Sequence, residues 1–136
     1  MEIIYSLNDI ESVTKRLIEK VDTKILLFYG DMGVGKTTLI KSIIKQLGCK
    51  NNVSSPTFSI VNEYKVIDSL VYHFDLYRVN TIEEAYNFGI EDYLFSNNWS
   101  IIEWPDVIKD ILPEQFNRID LTLNEDKTRT LKLSIN

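Results

Sequence analysis

Gly30, Gly35, Lys36 and Thr37 stand at the spacing G-x-x-x-x-G-K-[ST], within the run Gly30-Asp31-Met32-Gly33-Val34-Gly35-Lys36-Thr37-Thr38. Glycines let successive backbone amides approach and face one polyphosphate. The lysine would reach its β- and γ-phosphates, and the threonine hydroxyl would take one position around Mg²⁺. A strand-to-helix turn can match this pattern by chance, so the flanks decide. Ile25-Leu26-Leu27-Phe28-Tyr29 reads as a strand buried on both faces, and Leu39, Ile40, Ile43, Ile44 and Leu47 recur at helical spacing before Gly48. The residues predict a nucleoside triphosphate site.

Turnover needs more than a cradle: a carboxylate to support the metal and a group to position water or another acceptor. Val71-Tyr72-His73-Phe74-Asp75 is a mostly apolar strand ending in an acid, and ligands of open α/β sheets lie at such C-terminal ends. Asp75 is therefore expected to hold Mg²⁺ directly or through water, in preference to merely capping the next loop. Glu103, in Ser100-Ile101-Ile102-Glu103-Trp104-Pro105, ends a second apolar strand and would touch the metal shell or orient water. Alternation along that strand places Trp104 on the face opposite Glu103, where packing is its simplest use, though an exposed Trp beside the site could be a partner contact. Thr57, after Pro56, lies in a loop that could fold over the γ-phosphate or simply turn into a strand. His73 shares the strand face of Asp75 and is read as a hydrogen-bonded packing residue before a general base. Arg78 could neutralise phosphate charge or pair with a neighbouring acid.

The elements that must carry these residues follow from pattern. Residues 2–5 suit a short strand. Asn8 and Glu11 suggest a capped helix with Ile10, Val13, Leu17 and Val21 as its apolar stripe. Thr57–Tyr64 and Leu70–Asp75 read as antiparallel strands joined through Asp68-Ser69, and Thr81-x-x-Glu84 opens a helix with Ile82, Ala85, Tyr86 and Ile90 as apolar members. Trp99–Trp104 is a strand stopped by Pro105, followed by a short helix through Val107, Ile108 and Ile111. Ile119, Leu121, Leu123 and Leu131, Leu133, Ile135 alternate around Asn124-Glu125-Asp126-Lys127, as in a hairpin with one buried face. The expected fold is α/β and P-loop NTPase-like, with three layers and a mixed sheet: parallel strands at the nucleotide, antiparallel ones at the edge.

At 136 residues, with no repeat or flexible linker, the chain is expected to form one domain over residues 1–136. Fifteen basic residues against twenty acidic ones give a net charge of −5, which argues against tight unaided nucleic-acid binding. The N-terminal residues do not read as an export signal and no apolar run approaches membrane-spanning length, so an intracellular, cytoplasmic protein is expected. Cys49 is the single cysteine, which excludes an internal disulfide and a cysteine metal cluster; it reads as a loop thiol.

Together, the glycine loop at 30–38, Ser-Pro-Thr-Phe at 55–58, His-Phe-Asp-Leu-Tyr-Arg at 73–78 and Ile-Glu-Trp-Pro at 102–105 resemble the TsaE (YjeE) family, the bacterial P-loop ATPases of tRNA threonylcarbamoyladenosine synthesis. The resemblance covers nearly the whole chain and is weakest over the last thirty residues or so. Met32 and Val34 stand where the family more often has Leu and Ala or Ser. The resemblance implies ATP or ADP and Mg²⁺ at Lys36 and Thr37, Asp75 as the Walker B acid, Glu103 as a second required acid and Thr57 in a switch-like loop. It further implies that the TsaD–TsaB complex performs the transfer onto adenosine 37 of ANN-decoding tRNAs. The TsaE-like protein would bind that complex and hydrolyse ATP, touching tRNA only through its partners. The net negative charge agrees.

Base-contacting residues should come from segments remote from the phosphate loop; Ser6 and Arg129 are the expected candidates. Two other functions fit a P-loop: a kinase of a small-molecule acceptor, and a nucleotide-dependent switch without significant turnover. Against the kinase, Arg16, Arg78, Arg118 and Arg129 are scattered, and no segment is spare for an Arg-rich lid.

Overall fold

A computed structural model describes residues 1–50 and 60–135. Ser55, Pro56, Thr57 and Phe58, and with them the expected strand start at Thr57, lie outside the described residues. Seven strands form one sheet: β1 (Glu2–Tyr5), β2 (Ile25–Tyr29), β3 (Val61–Val66), β4 (Ser69–Asp75), β5 (Trp99–Glu103), β6 (Asn117–Leu123) and β7 (Arg129–Ile135). Their order across the sheet is β1-β7-β6-β2-β5-β4-β3. The central strands β4, β5, β2 and β6 are parallel, whereas β3, β7 and β1 add antiparallel edges. This is the expected mixed sheet, and it brings the C-terminal tips of β2, β4 and β5 to one edge. Register places Glu103 beside Phe28 on one side and beside Asp75 on the other.

Helices α1 (Ile10–Lys20) and α2 (Lys36–Gln46) cover one face, and α3 (Ile82–Asn87), α4 (Ile90–Leu94) and a 3₁₀ segment (Pro105–Ile111) cover the other. β2 shows why its sequence is apolar throughout. Leu26 and Phe28 join the core under α1 and α2, while Ile25 and Leu27 join the opposite core with Phe74, Ile90, Ile102 and Ile108. The stripe of α2 is fully buried at Leu39, Ile40, Ile43 and Ile44. Each such side chain contributes about 1.5–3 kcal/mol of transfer free energy, so the helix that begins at Lys36 is anchored rigidly to the sheet. Leu17 and Val13 carry the facing stripe of α1, and Thr14 Oγ1 donates to Ser42 Oγ at 2.8 Å across the helix pair.

Several local expectations are corrected. A 3₁₀ turn over Leu7–Asp9 delays α1 to Ile10; Ser6 Oγ donates to Asp9 Oδ2, and no side chain caps the α-helix. Ile90 belongs to a separate helix because Gly89 adopts a left-handed conformation, and Tyr86 is exposed. The β3–β4 turn uses Ile67-Asp68, one residue earlier than expected, and the segment after β5 is 3₁₀. Leu123 and Ile135, at the ends of their strands, are exposed, while Ile119, Leu121, Leu131 and Leu133 fill the hairpin's buried face.

Candidate functional site

The loop between β2 and α2 is built around Gly30. At φ 150° its position favours glycine, and a Cβ there would lie 2.6 Å from the Leu121 carbonyl oxygen of neighbouring β6. That oxygen is backbone in a paired strand and cannot move aside. Val34 N donates to Asp31 O at 3.3 Å and Leu39 N to Gly35 O at 3.0 Å. Among the described residues, the amides of Gly33, Gly35, Lys36, Thr37 and Thr38 meet no protein acceptor. These are the free N–H groups of a helix's first turn and the loop feeding it, where a helix dipole also favours negative charge. They border a cavity of about 440 Å³ lined by Gly33, Gly35, Lys36, Thr37, Asp75 and Glu103 among others. A Cβ on Gly33 would project into open space. The cradle fits a polyphosphate.

Lys36 is buried, its ammonium donating to Gly30 O at 2.7 Å and lying 3.6 Å from the centroid of the Trp104 ring. Burial holds its pKa below the ordinary lysine value; Glu103, Asp75 and Asp31 oppose that shift with their negative charge. Thr37 Oγ1 donates to Glu103 Oε1 at 3.3 Å. The second oxygen of Glu103, Oε2, is 2.8 Å from His73 Nε2, and both side chains are buried. Asp75, beside Glu103 in register, is half-buried, and its Oδ1 accepts from Tyr77 N at 3.1 Å. It therefore both caps its own loop and lines the cavity.

A hydroxyl and carboxylates are hard oxygen donors suited to Mg²⁺. Among the described residues no group of three or more His, Cys, Asp or Glu converges as an all-protein metal cage. Mg²⁺ is ordinarily held by one or two carboxylates plus substrate phosphates, so this sparse donor set fits it.

The position of Trp104 corrects the alternation argument. β5 ends at Glu103, and Trp104 turns left-handed at φ 57° and ψ 57°, so its ring lies over Lys36 on the cavity side. Tyr77 packs against it with ring centroids 5.1 Å apart, and both line the cavity. A left-handed aromatic residue before proline is strained, and strain of this kind collects at functional sites. Tyr77 is not among the residues the sequence singles out; its signal is its place two residues after Asp75 in the motif at 73–78.

The remaining expected residues divide. Arg129, from β7, lines the cavity and donates from Nε to Val34 O at 2.8 Å, bracing the loop. Ser6, in contact with Asp9, does not line it, and neither does Arg78, which is exposed. Asp31, Met32 and Thr38 are exposed along the loop while Val34 is buried beneath it. Thr57 lies outside the described residues. Cys49 is buried. No helix among the described residues is long and apolar enough to cross a membrane.

Residues 4–131 match the family described as threonylcarbamoyl adenosine biosynthesis protein TsaE. The chain is 41% identical over 112 residues to the tRNA threonylcarbamoyladenosine biosynthesis protein TsaE of Rickettsia bellii, covering 81% of this chain and 76% of the relative. The Haemophilus influenzae protein of the same name is 40% identical over 105 residues, covering 76% of this chain and 64% of its own length. In three dimensions the chain is similar to the crystal structure of Bacillus subtilis YdiB, with a TM-score of 0.75 at 22% identity, over 99% of this chain and 86% of that one. That likeness shows the fold.

Proposed function

The chain belongs to the TsaE family, and from that membership we propose that it binds ATP with Mg²⁺ and hydrolyses it in support of threonylcarbamoyladenosine formation on tRNA. The observation that carries this reading is the set of unpaired amides at the start of α2, facing a cavity whose other walls hold Lys36, Asp75 and Glu103.

Position supports the roles of the loop, Lys36, Asp75, Glu103 and Arg129, whereas Thr57 and Ser6 are assigned from the sequence alone. The amides of Gly33, Gly35, Lys36, Thr37 and Thr38 bind the phosphate chain, with Gly30, Asp31, Met32 and Val34 shaping the loop. Lys36 supplies positive charge to the β- and γ-phosphates. The Thr37 hydroxyl and Glu103 Oε1, 3.3 Å apart, present adjacent oxygens for the metal, and Asp75 supports it from the next strand. Bound Mg²⁺ supplies charge neutralisation at the transferring phosphoryl group. Glu103 also orients the attacking water, and Trp104 with Tyr77 keeps bulk water from Lys36. For Thr57, outside the described residues, the family resemblance implies a switch-like role. Arg129 flanks the nucleotide, and with Ser6 is assigned to its base end.

Transfer of the threonylcarbamoyl group is assigned to the TsaD–TsaB complex, which this protein binds and whose cycling its ATP hydrolysis drives. A net charge of −5 suits a protein that leaves tRNA contact to its partners. Radiolabelled ATP turnover, measured with and without TsaD–TsaB, tests the proposal. Slow release of inorganic phosphate by the protein alone, with a changed rate in the complex, is expected. No turnover in either condition, or label moving to a small-molecule acceptor as in a kinase, would overturn it.

A further inference from the structure

Glu103 has two oxygens, and the structure divides them: Oε1 faces the Thr37 hydroxyl while Oε2 meets the ring of His73. We propose that His73 is a positioning residue for this reaction, one that fixes the Glu103 carboxylate by donating a buried hydrogen bond from Nε2. The inference rests on the assignment of Glu103 given above.

Three features carry it. The first is placement. His73 lies on β4, which is hydrogen-bonded on both sides by β3 and β5, so its backbone is held from two directions. Its register partner is Ile101, and Glu103 lies two residues farther along β5 on the same face, within diagonal reach of a long side chain. The second is burial. His73 is fully buried and Glu103 nearly so, and a carboxylate with little water around it orients to whatever donors the protein supplies. Here those donors are one imidazole and one hydroxyl.

The third feature is how His73 is left otherwise unused. Its Nδ1 is buried and, among the described residues, has no hydrogen-bond partner. A histidine packed for its shape alone has no need to aim its one engaged nitrogen at a carboxylate. With the hydrogen on Nε2, Nδ1 carries only a lone pair, which is less costly to leave unpaired than an N–H. His73 does not line the cavity, so its effect on the reaction passes through Glu103. Partners that aim a metal-site carboxylate typically matter about 10–100-fold when removed.

The test compares His73→Leu, His73→Gln, Glu103→Ala and the double variant His73→Leu/Glu103→Ala. ATP affinity is measured by calorimetry, and turnover is measured at saturating ATP with TsaD–TsaB present. His73→Leu should leave ATP affinity unchanged and lower kcat by about tenfold. Glutamine places its amide nitrogen near the position of Nε2, so His73→Gln should recover most of the rate. In the Glu103→Ala background His73→Leu should cost nothing further, because the group it positions is gone.

Wild-type kcat in His73→Leu, an equal loss in both backgrounds, or a glutamine variant as slow as the leucine one would overturn the inference while leaving the Glu103 assignment standing. Full activity of Glu103→Ala would instead overturn that assignment, and this inference with it. Should His73→Leu fail to fold, His73→Asn replaces it: its amide reaches the position of Nδ1, so a slow asparagine variant beside a fast glutamine variant supports the role. Equal rates in those two contradict it.

Discussion

The tips of β4 and β5 each carry one acid, side by side in register, yet the fold treats them differently. Glu103 at the tip of β5 is 4% exposed and is held across strands, by His73 from β4 and by Thr37 from the helix that starts the phosphate cradle. Asp75 at the tip of β4 is half-buried and is held by its own loop, through the amide of Tyr77. A carboxylate fixed from two distant elements can meet a reacting group without reorganisation; one fixed only by its neighbour follows its loop when the loop moves. On the function proposed above, this difference gives the more demanding role to Glu103 and the supporting one to Asp75.

The largest expected effect lies at the buried tip. Glu103→Gln should lower ATP turnover by about a hundredfold or more while ATP still binds, as expected for loss of a group that orients water in the transition state. Comparable turnover loss in Asp75→Asn would erase the distinction between the two tips. Otherwise Asp75→Asn should cost about tenfold, appearing mainly as a raised Mg²⁺ requirement in a metal titration.

A smaller effect is expected at the residue that follows Glu103. Trp104 contacts Lys36, whereas Trp99 sits at the far end of the same strand. ATP should therefore change intrinsic fluorescence through Trp104: Trp104→Phe should remove most of the change and Trp99→Phe should retain it. The reverse pattern would detach the aromatic pair from the site.

The smallest concerns pH. Burial lowers the pKa of Lys36, and only its charged form attracts phosphate. ATP affinity should thus be fully present at neutral pH and fall as pH rises through that lowered value, earlier than an ordinary lysine would lose its charge. Bound phosphate favours the charged amine, so binding should take up protons in that alkaline window, measurable by calorimetry in buffers of different ionisation enthalpy. Affinity that rises with pH there would contradict the role of Lys36.

What the sequence revealed follows how local each feature is. The cradle, the buried strand before it and the helix after it are contiguous, so spacing and periodicity sufficed for Gly30 through Leu47. Asp75 and Glu103 were legible as acids at strand ends, because an apolar run that stops at a carboxylate marks its own tip. The bond between His73 and Glu103 was not legible, since it depends on the β4–β5 register, which no local pattern states. Trp104 was misplaced for a different reason: alternation holds only within a strand, and the left-handed backbone after Glu103 turns the ring back over Lys36. The start of α1 shows the same weakness. Asn8 and Glu11 match a capping pattern, but the contact between Ser6 and Asp9 favours a 3₁₀ turn first.

The most direct measurement is a calorimetric titration of ATP into the protein with Mg²⁺ and again with the metal chelated. One site per chain is predicted, with markedly tighter binding when Mg²⁺ is present and with that gain reduced in Asp75→Asn. Absence of ATP binding, or an affinity indifferent to Mg²⁺ in the wild-type protein, would contradict a phosphate cradle completed by the acids at the tips of β4 and β5.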